Sequence, residues 1–298
     1  MRTFTQSPPE LVLTAPERLV TGAAWSEGPV WLPATSRVRW SDIPNDRILE
    51  WEEGAAAPLV HRVGVQYANG RALHLDGSII QCSHGRRAVE RERDGRVETL
   101  VDRWGEARLN SPNDVIVARD GSVLFTDPPY GIVQPDEGHP GEREYGDCWV
   151  FHFEPTTGRL DPIVLDVEEP NGLALSPDER ILYVADTSSV LRTDGSGNRH
   201  IRAYDVQPGW RCKNGRTVIR PGGVADGFRV DVAGRIWTSA SAGIEVYDPD
   251  GTLLVRVDLP ETVSNLCFGG PDGTDLFITA TTSLYRLRTG TTDAAGRR

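Results

Sequence analysis

The chain has 298 residues, a formal net charge of −11 at pH 7, 38% hydrophobic and 25% charged residues. An acidic chain of this kind argues against binding a nucleic acid backbone or an anionic membrane surface, both of which need clustered Lys and Arg. No run of 18 apolar residues is present for a membrane helix, and the four cysteines Cys82, Cys148, Cys212 and Cys267 form no CxxC pair.

The first residues lack an apolar signal-like segment, so a cytoplasmic protein with reduced thiols is expected. Helical periodicity is scarce, and short strand-like runs separated by Gly, Pro, Asp and Asn dominate. The reading is therefore all-β. In chain order, the first element is an apolar run around Leu11 to Leu13.

Six similar units follow. They are "EGPVWLPATSRVRWSD" from Glu27, "NGRALHLDGSIIQCS" from Asn69, "NDVIVARDGSVLFTD" from Asn113, "NGLALSPDERILYVAD" from Asn171, "DGFRVDVAGRIWTSA" from Asp226 and "NLCFGGPDGTDLFITA" from Asn265. Each reads as a polar residue, a strand, a turn and a second strand. The second strands centre near Trp40, Ile80, Leu124, Tyr183, Trp237 and Phe277, spaced by 40, 44, 59, 54 and 40 residues. Periods of this size predict a single six-bladed β-propeller domain over residues 1–298, with its core at about 20–288.

Further strand runs such as "CWVFHFEP" and "IRAYDV" would complete four strands per blade. The extra length of two units falls in 128–148 and around 187–199, both Gly-, Pro- and polar-rich and so read as loops. The run at Leu11–Leu13 is expected to pair into the last blade after "SLYRLR", because ring closure removes exposed sheet edges. The tail "TGTTDAAGRR" is expected to fray.

If every unit starts at the same radius, Glu27, Asn69, Asn113, Asn171, Asp226 and Asn265 converge on one mouth of the central channel. Polar groups there cost free energy unless something binds them. Two carboxylates and four carboxamides are an oxygen-only donor set, which suits hard cations such as Ca²⁺, Mg²⁺ or Mn²⁺. The plainer reading is that Asn-Gly and Asp-Gly are turn dipeptides and that Asn caps its own backbone. Asn69 and Asn265 fit it best.

Asp127 and Asp186 close the third and fourth hairpins, where each could serve the channel or satisfy the loop that follows. His84, in "CSHGRR", is expected to be a loop histidine, with a channel-facing one as the alternative. No HExxH, GxSxG or EF-hand spacing occurs, which removes zincin, serine-elbow and EF-hand chemistry.

The motifs "EGPVW", "LNSPNDVIV", "FTDPPYG", "PNGLALSPD", "YVADT", "DGFRVD" and "CFGGPDG" together resemble the SMP-30/gluconolactonase (regucalcin) family, in its bacterial gluconolactonase-like branch, over residues 20 to 288. The resemblance implies a six-bladed propeller with one divalent metal in the channel, Ca²⁺ first, with Mg²⁺, Mn²⁺ or Zn²⁺ as alternatives. It also implies hydrolysis of sugar lactones or related esters.

By the same resemblance Glu27, Asn171 and Asp226 would ligate the metal, and Asn113 would be either a ligand or a substrate contact. Where animal members carry an Arg two residues before that Asn, this chain has Ser111, and Arg108 could reach in instead. Asn69, Asp127 and Tyr130 complete the expected substrate contacts. Asp226 would act as general base toward water, or as a nucleophile. The expected partner is a small lactone or ester. The competing readings are a phosphotriesterase or aryl esterase on the same site, and a binding propeller without catalysis.

Overall fold

The computed structural model describes residues 11–296. Strand β1 (Glu17–Thr21) comes first. One antiparallel sheet is β2 (Ser26–Leu32), β3 (Arg37–Asp42), β4 (Arg47–Glu52) and β5 (Leu59–Val63), paired in that order. The next is β6 (Ala68–Leu73), β7 (Ile79–Ser83), β8 (Ala88–Arg93) and β9 (Arg96–Val101). A small hairpin of β10 (Arg103–Trp104) and β11 (Ala107–Arg108) precedes the third sheet, β12 (Val115–Val117), β13 (Val123–Asp127), β14 (Trp149–Glu154) and β15 (Arg159–Val164). One short helix, α1 (Tyr130–Val133), interrupts it.

The fourth sheet is β16 (Pro170–Leu175), β17 (Ile181–Asp186), β18 (His200–Gln207) and β19 (Arg211–Ile219). The remaining strands, β20 (Phe228–Val230), β21 (Ile236–Ser239), β22 (Ser241–Tyr247), β23 (Leu253–Gly269), β24 (Asp275–Ala280) and β25 (Ser283–Arg288), form one seven-stranded sheet ordered β1-β25-β24-β23-β22-β21-β20.

All six hairpins expected from the sequence are present, as β2–β3, β6–β7, β12–β13, β16–β17, β20–β21 and β23–β24. Their first strands touch in the order β2, β6, β12, β16, β20, β23 and back to β2. Alternating apolar residues pack between neighbouring sheets. Ile80, Val115, Val117, Phe125 and Phe151 form one such cluster, and Trp31 stacks on Phe277 at 5.5 Å across the meeting of the chain's two ends.

The glycines after the in-phase polar residues have a purpose the turn reading missed. A Cβ on Gly28 would stand 2.2 Å from the Asn69 carbonyl oxygen, on Gly70 2.5 Å from that of Asn113, and on Gly172 2.3 Å from that of Asp226. Only glycine lets first strands approach this closely. The Gly70 amide donates to the Asn113 carbonyl at 2.8 Å and the Gly172 amide to that of Asp226 at 3.1 Å. The register slips at the same places, between Glu27 and Val30, Ala68 and Arg71, and Pro170 and Leu173. These are bulges, which re-aim a side chain at the end of a strand.

Two expectations about the termini are corrected. The strand pairing with β25 is β1, in the register Glu17 opposite Arg286 to Thr21 opposite Ser283, not the run at Leu11–Leu13. Pro16, which has no N–H for a ladder, stands just before it. Leu11 and Leu13 instead pack into the core under β25. The tail is not frayed through Ala294: Asp293 bridges Asp231 and the Ala294 amide donates to the Val230 carbonyl at 2.9 Å.

An ion network ties the first two sheets together. Arg39 on β3 donates to Glu50 on β4 at 2.8 Å and to Glu92 on β8 at 3.1 Å. Burial raises the Glu92 pKa, but the His61 hydrogen bond and the Arg39 and Arg62 charges outweigh it and bring it from 4.5 down to about 2. A carboxylate depressed in the fold stabilises it above the unfolded value and loses that contribution as pH falls from about 4.5 toward 2. Glu92→Gln is therefore expected to cost about 1–2 kcal/mol at pH 7, after discounting for partial solvent screening. It should also flatten the acid limb of the stability curve, which urea denaturation at pH 7, 4 and 3 would read. An unchanged slope would remove Glu92 from the network's contribution.

Candidate functional site

Glu27, Asn69, Asn113, Asn171 and Asp226, from five of the six hairpin starts, line one cavity of about 360 Å³. Tyr130 and Glu137 from the 128–148 loop and Val190 from the 187–199 loop line it too, so both overlong connections reach the same mouth. Asn265, the sixth start, stands behind the wall. Its Nδ2 donates to Glu27 Oε2 at 3.1 Å and its Oδ1 accepts from the Leu266 amide at 2.8 Å, so it caps its own strand and braces Glu27 at once.

Glu27 is buried, and its Oε2 also accepts from the Gly28 amide at 2.7 Å. Burial pushes its pKa up to about 7, with Asp114 and Glu137 adding repulsion against those two hydrogen bonds. Asp226 is raised well above its ordinary value, first by burial, then by the charges of Glu27, Glu137 and Asp114. Its backbone is pinned independently of the carboxylate, the amide donating to Ser239 Oγ at 2.8 Å. Asp114, next to Asn113, pairs with Arg229 at 3.5 Å. Arg71 is buried as well, donating to the Gly28 carbonyl at 3.0 Å and to Ser41 Oγ at 2.9 Å.

Glu27, Asp114, Glu137 and Asp226 against Arg71 and Arg229 leave this group of side chains two negative charges in excess when all are ionised. Buried like charges are tolerated only with compensation. A hard dication among Glu27, Asp226 and the carboxamide oxygens would supply it, and the donor set suits such an ion. Among the described residues no group of three or more His, Cys, Asp or Glu could hold a metal, so asparagine oxygens are needed to complete any such set. Asn69 Oδ1 is one candidate, being buried without a hydrogen-bond partner.

His84 lies in the turn between β7 and β8, as expected, but it is not at the surface: it is wholly buried directly behind two of these amides. Asn69 Nδ2 lies 3.1 Å and Asn113 Nδ2 3.5 Å from its Nε2, while its Nδ1 is 2.9 Å from the Glu137 carbonyl oxygen. Burial pushes its pKa down to about 4, so the ring is neutral at pH 7.

Asp127 and Arg108 stand outside the cavity lining. Asp127 Oδ2 accepts from the Asn110 amide and from the Tyr145 hydroxyl, both at 2.7 Å, and so holds the loop bases together. Arg108 donates through its amide to Glu144 at 2.7 Å and through Nη2 to the Arg86 carbonyl at 3.1 Å. Asp186 does for its loop what Asp127 does, accepting from Asn198 Nδ2 at 3.0 Å and the Ser188 amide at 3.1 Å. Tyr130 lines the cavity with its hydroxyl on Thr187. The sequence reading passed over Glu137, whose carboxyl burial pushes up to about 7.

The SMP-30/gluconolactonase/LRE-like region model matches residues 25–282. A gluconolactonase of Zymomonas mobilis is 34% identical over 94% of this chain and 83% of its own length. The pentonolactonase XacC of Haloferax volcanii is 32% identical over 87% of this chain and 82% of its own. Among solved structures, a gluconolactonase of Xanthomonas campestris superposes with a TM-score of 0.86 at 36% identity, covering 97% of this chain and 93% of that one. A regucalcin of Agrobacterium tumefaciens, at 18% identity and a TM-score of 0.72, shares the fold. The motif set, the match across residues 25–282 and these relatives agree: the chain belongs to the SMP-30/gluconolactonase/LRE-like family.

Proposed function

We propose that the protein is a divalent-cation-dependent hydrolase of sugar lactones, built on a six-bladed propeller. Six hairpins whose first strands touch in a closed ring support the blade number, with the 17-residue β23 joining two blades into one sheet. The observation that carries the chemistry is the convergence of Glu27, Asn113, Asn171 and Asp226 on one cavity, in a chain whose relatives include a gluconolactonase and a pentonolactonase.

Glu27, Asn171 and Asp226 would hold the cation, with Asn113 and Asn69 offering further oxygens. When bound, it supplies a positive centre that polarises the lactone carbonyl and offsets the developing negative charge. The chain's own groups do the rest. An Asp226 carboxylate oxygen accepts the proton of the attacking water. The water oxygen bonds to the carbonyl carbon, the carbon–oxygen bond of the ring breaks, the proton held on Asp226 passes to the leaving ring oxygen, and the product is a hydroxy acid. Asn69, Asn113, Tyr130 and Glu137 present polar groups to sugar hydroxyls, while Trp25, Val190 and Val263 make the cavity wall partly apolar and restrict water.

Chelator-treated protein should be inactive on aldonolactones and regain activity with one of Ca²⁺, Mg²⁺, Mn²⁺ or Zn²⁺. A parallel panel of phosphotriesters and aryl esters should give kcat/KM lower by at least about 10²-fold, since a phosphotriester presents a different transition-state charge and geometry to the same donors and an aryl ester lacks the sugar hydroxyls that would hold it there. Full activity after chelation would overturn the cation requirement, and preference for a phosphotriester would overturn the substrate class.

A further inference from the structure

We propose that His84 is a positioning residue that couples the 128–148 loop to the carboxamides of Asn69 and Asn113. The inference rests on the reading that those amides present oxygen to a cation or substrate.

The hydrogen-bond chemistry leaves little choice of arrangement. A backbone carbonyl only accepts, so the Glu137 oxygen 2.9 Å from Nδ1 requires the proton on that nitrogen. A neutral ring then has Nε2 as its acceptor, and an acceptor requires the NH₂ side of Asn69, 3.1 Å away. With Nδ2 committed, Asn69 Oδ1 is left without a protein partner, on a residue that lines the cavity. Asn113 Nδ2, at 3.5 Å, faces the same nitrogen. One imidazole therefore reads the place of the loop on one side and sets which face of two amides meets the cavity on the other. The residue it reads, Glu137, also lines that cavity.

A second, independent feature fits the loop to this ring. A Cβ on Gly131 would lie 2.4 Å from His84 Cβ and 2.6 Å from its Cγ, and a Cβ on Gly138 would lie 2.1 Å from the Gly131 carbonyl oxygen. The loop is thus layered on the imidazole with no room for a side chain at either contact. His84 itself offers nothing to substrate, since it is wholly buried and both nitrogens are engaged.

The test is hydrogen exchange of the 131–141 amides and calorimetry with Ca²⁺ alone, on the full chain. In the wild type, Ca²⁺ should slow exchange of the loop. In His84→Phe, which keeps a ring without donor or acceptor, the cation-free loop should exchange on the order of tenfold faster, as expected for loss of its hydrogen bond. Ca²⁺ should then no longer protect it, and should bind on the order of tenfold more weakly. His84→Gln, which can donate and accept, should recover part of each effect.

Gly131→Ala, which displaces the ring without deleting its nitrogens, should loosen the loop in the same direction and serves if His84→Phe does not fold. Loop exchange unchanged in both variants, or Gln no better than Phe, overturns the proposal. Should wild type bind no Ca²⁺, calcium is excluded as the cation, and the coupling still stands or falls on cation-free loop exchange in the three variants.

Discussion

Asp226→Asn is expected to lower kcat for lactone hydrolysis by about 10²-fold or more, the size associated with loss of a positioned general base. The fold should be undisturbed. Asn has nearly the same shape and keeps one oxygen toward the cavity, but it cannot take a proton from water. The backbone around it is held by bonds the substitution does not touch, from its own amide to Ser239 Oγ at 2.8 Å and from the Gly172 amide to its carbonyl at 3.1 Å. The variant also relieves crowding, because Glu27, Glu137 and Asp114 all raise the free energy of a carboxylate at this place. The Tm of the cation-free variant should accordingly be equal to or above that of the wild type, with kcat collapsed. A merely damaged protein would lose both together. Steady-state kinetics with saturating cation, beside a thermal melt in chelator, separates the two. Activity within threefold of wild type would remove Asp226 from the proton-transfer role.

The periodic part of this architecture was legible in the chain. Six polar–strand–turn–strand units could be counted because a β-hairpin writes itself locally, in alternation and in turn residues. The shared phase of Glu27, Asn69, Asn113, Asn171, Asp226 and Asn265 carried over into space, with five of the six on one cavity. What was not legible depends on contacts far apart in sequence. Glu137 lies in a loop with Asp136, Glu142 and Glu144 and no periodicity to single it out. Its carbonyl bond to His84, 53 residues away, places it.

The glycines following the polar residues resembled turn glycines because their real reason, a neighbouring strand's backbone about 2.2–2.5 Å from a would-be Cβ, belongs to the ring and not to the unit. Asp127 shows the opposite limit. Its position at a strand end left two roles open, the channel and the following loop, and only the distant partners Asn110 and Tyr145, which engage its carboxylate, decide for the loop.

The closing strand offers the largest expected effect on stability. Deletion of residues 11–21 removes β1, and with it the buried side chains of Leu11 and Val20 and the outer partner of β25. Two such aliphatic side chains contribute about 3–6 kcal/mol by burial. For a domain of this size that corresponds to a fall in Tm of roughly 5–10 °C. The exposed edge of β25 should also promote association between copies.

The consequence reaches the cavity, because the same seam sets the strand that carries Glu27. The Gly22 amide donates to the Thr282 carbonyl at 2.9 Å and the Ser26 amide to the Thr281 carbonyl at 2.9 Å. Ser264 Oγ donates to the Ser26 carbonyl, one residue before Glu27. Loss of the closure should therefore weaken divalent-cation binding along with the melting temperature. Val20→Asn, a milder lesion of the same seam, should move both in the same direction by a smaller amount. A truncated protein that melts as the wild type does would mean that β25 needs no partner. One that melts early but binds the cation with unchanged affinity would mean that Glu27 is held by Gly28 and Asn265 alone, independently of how the ring is closed.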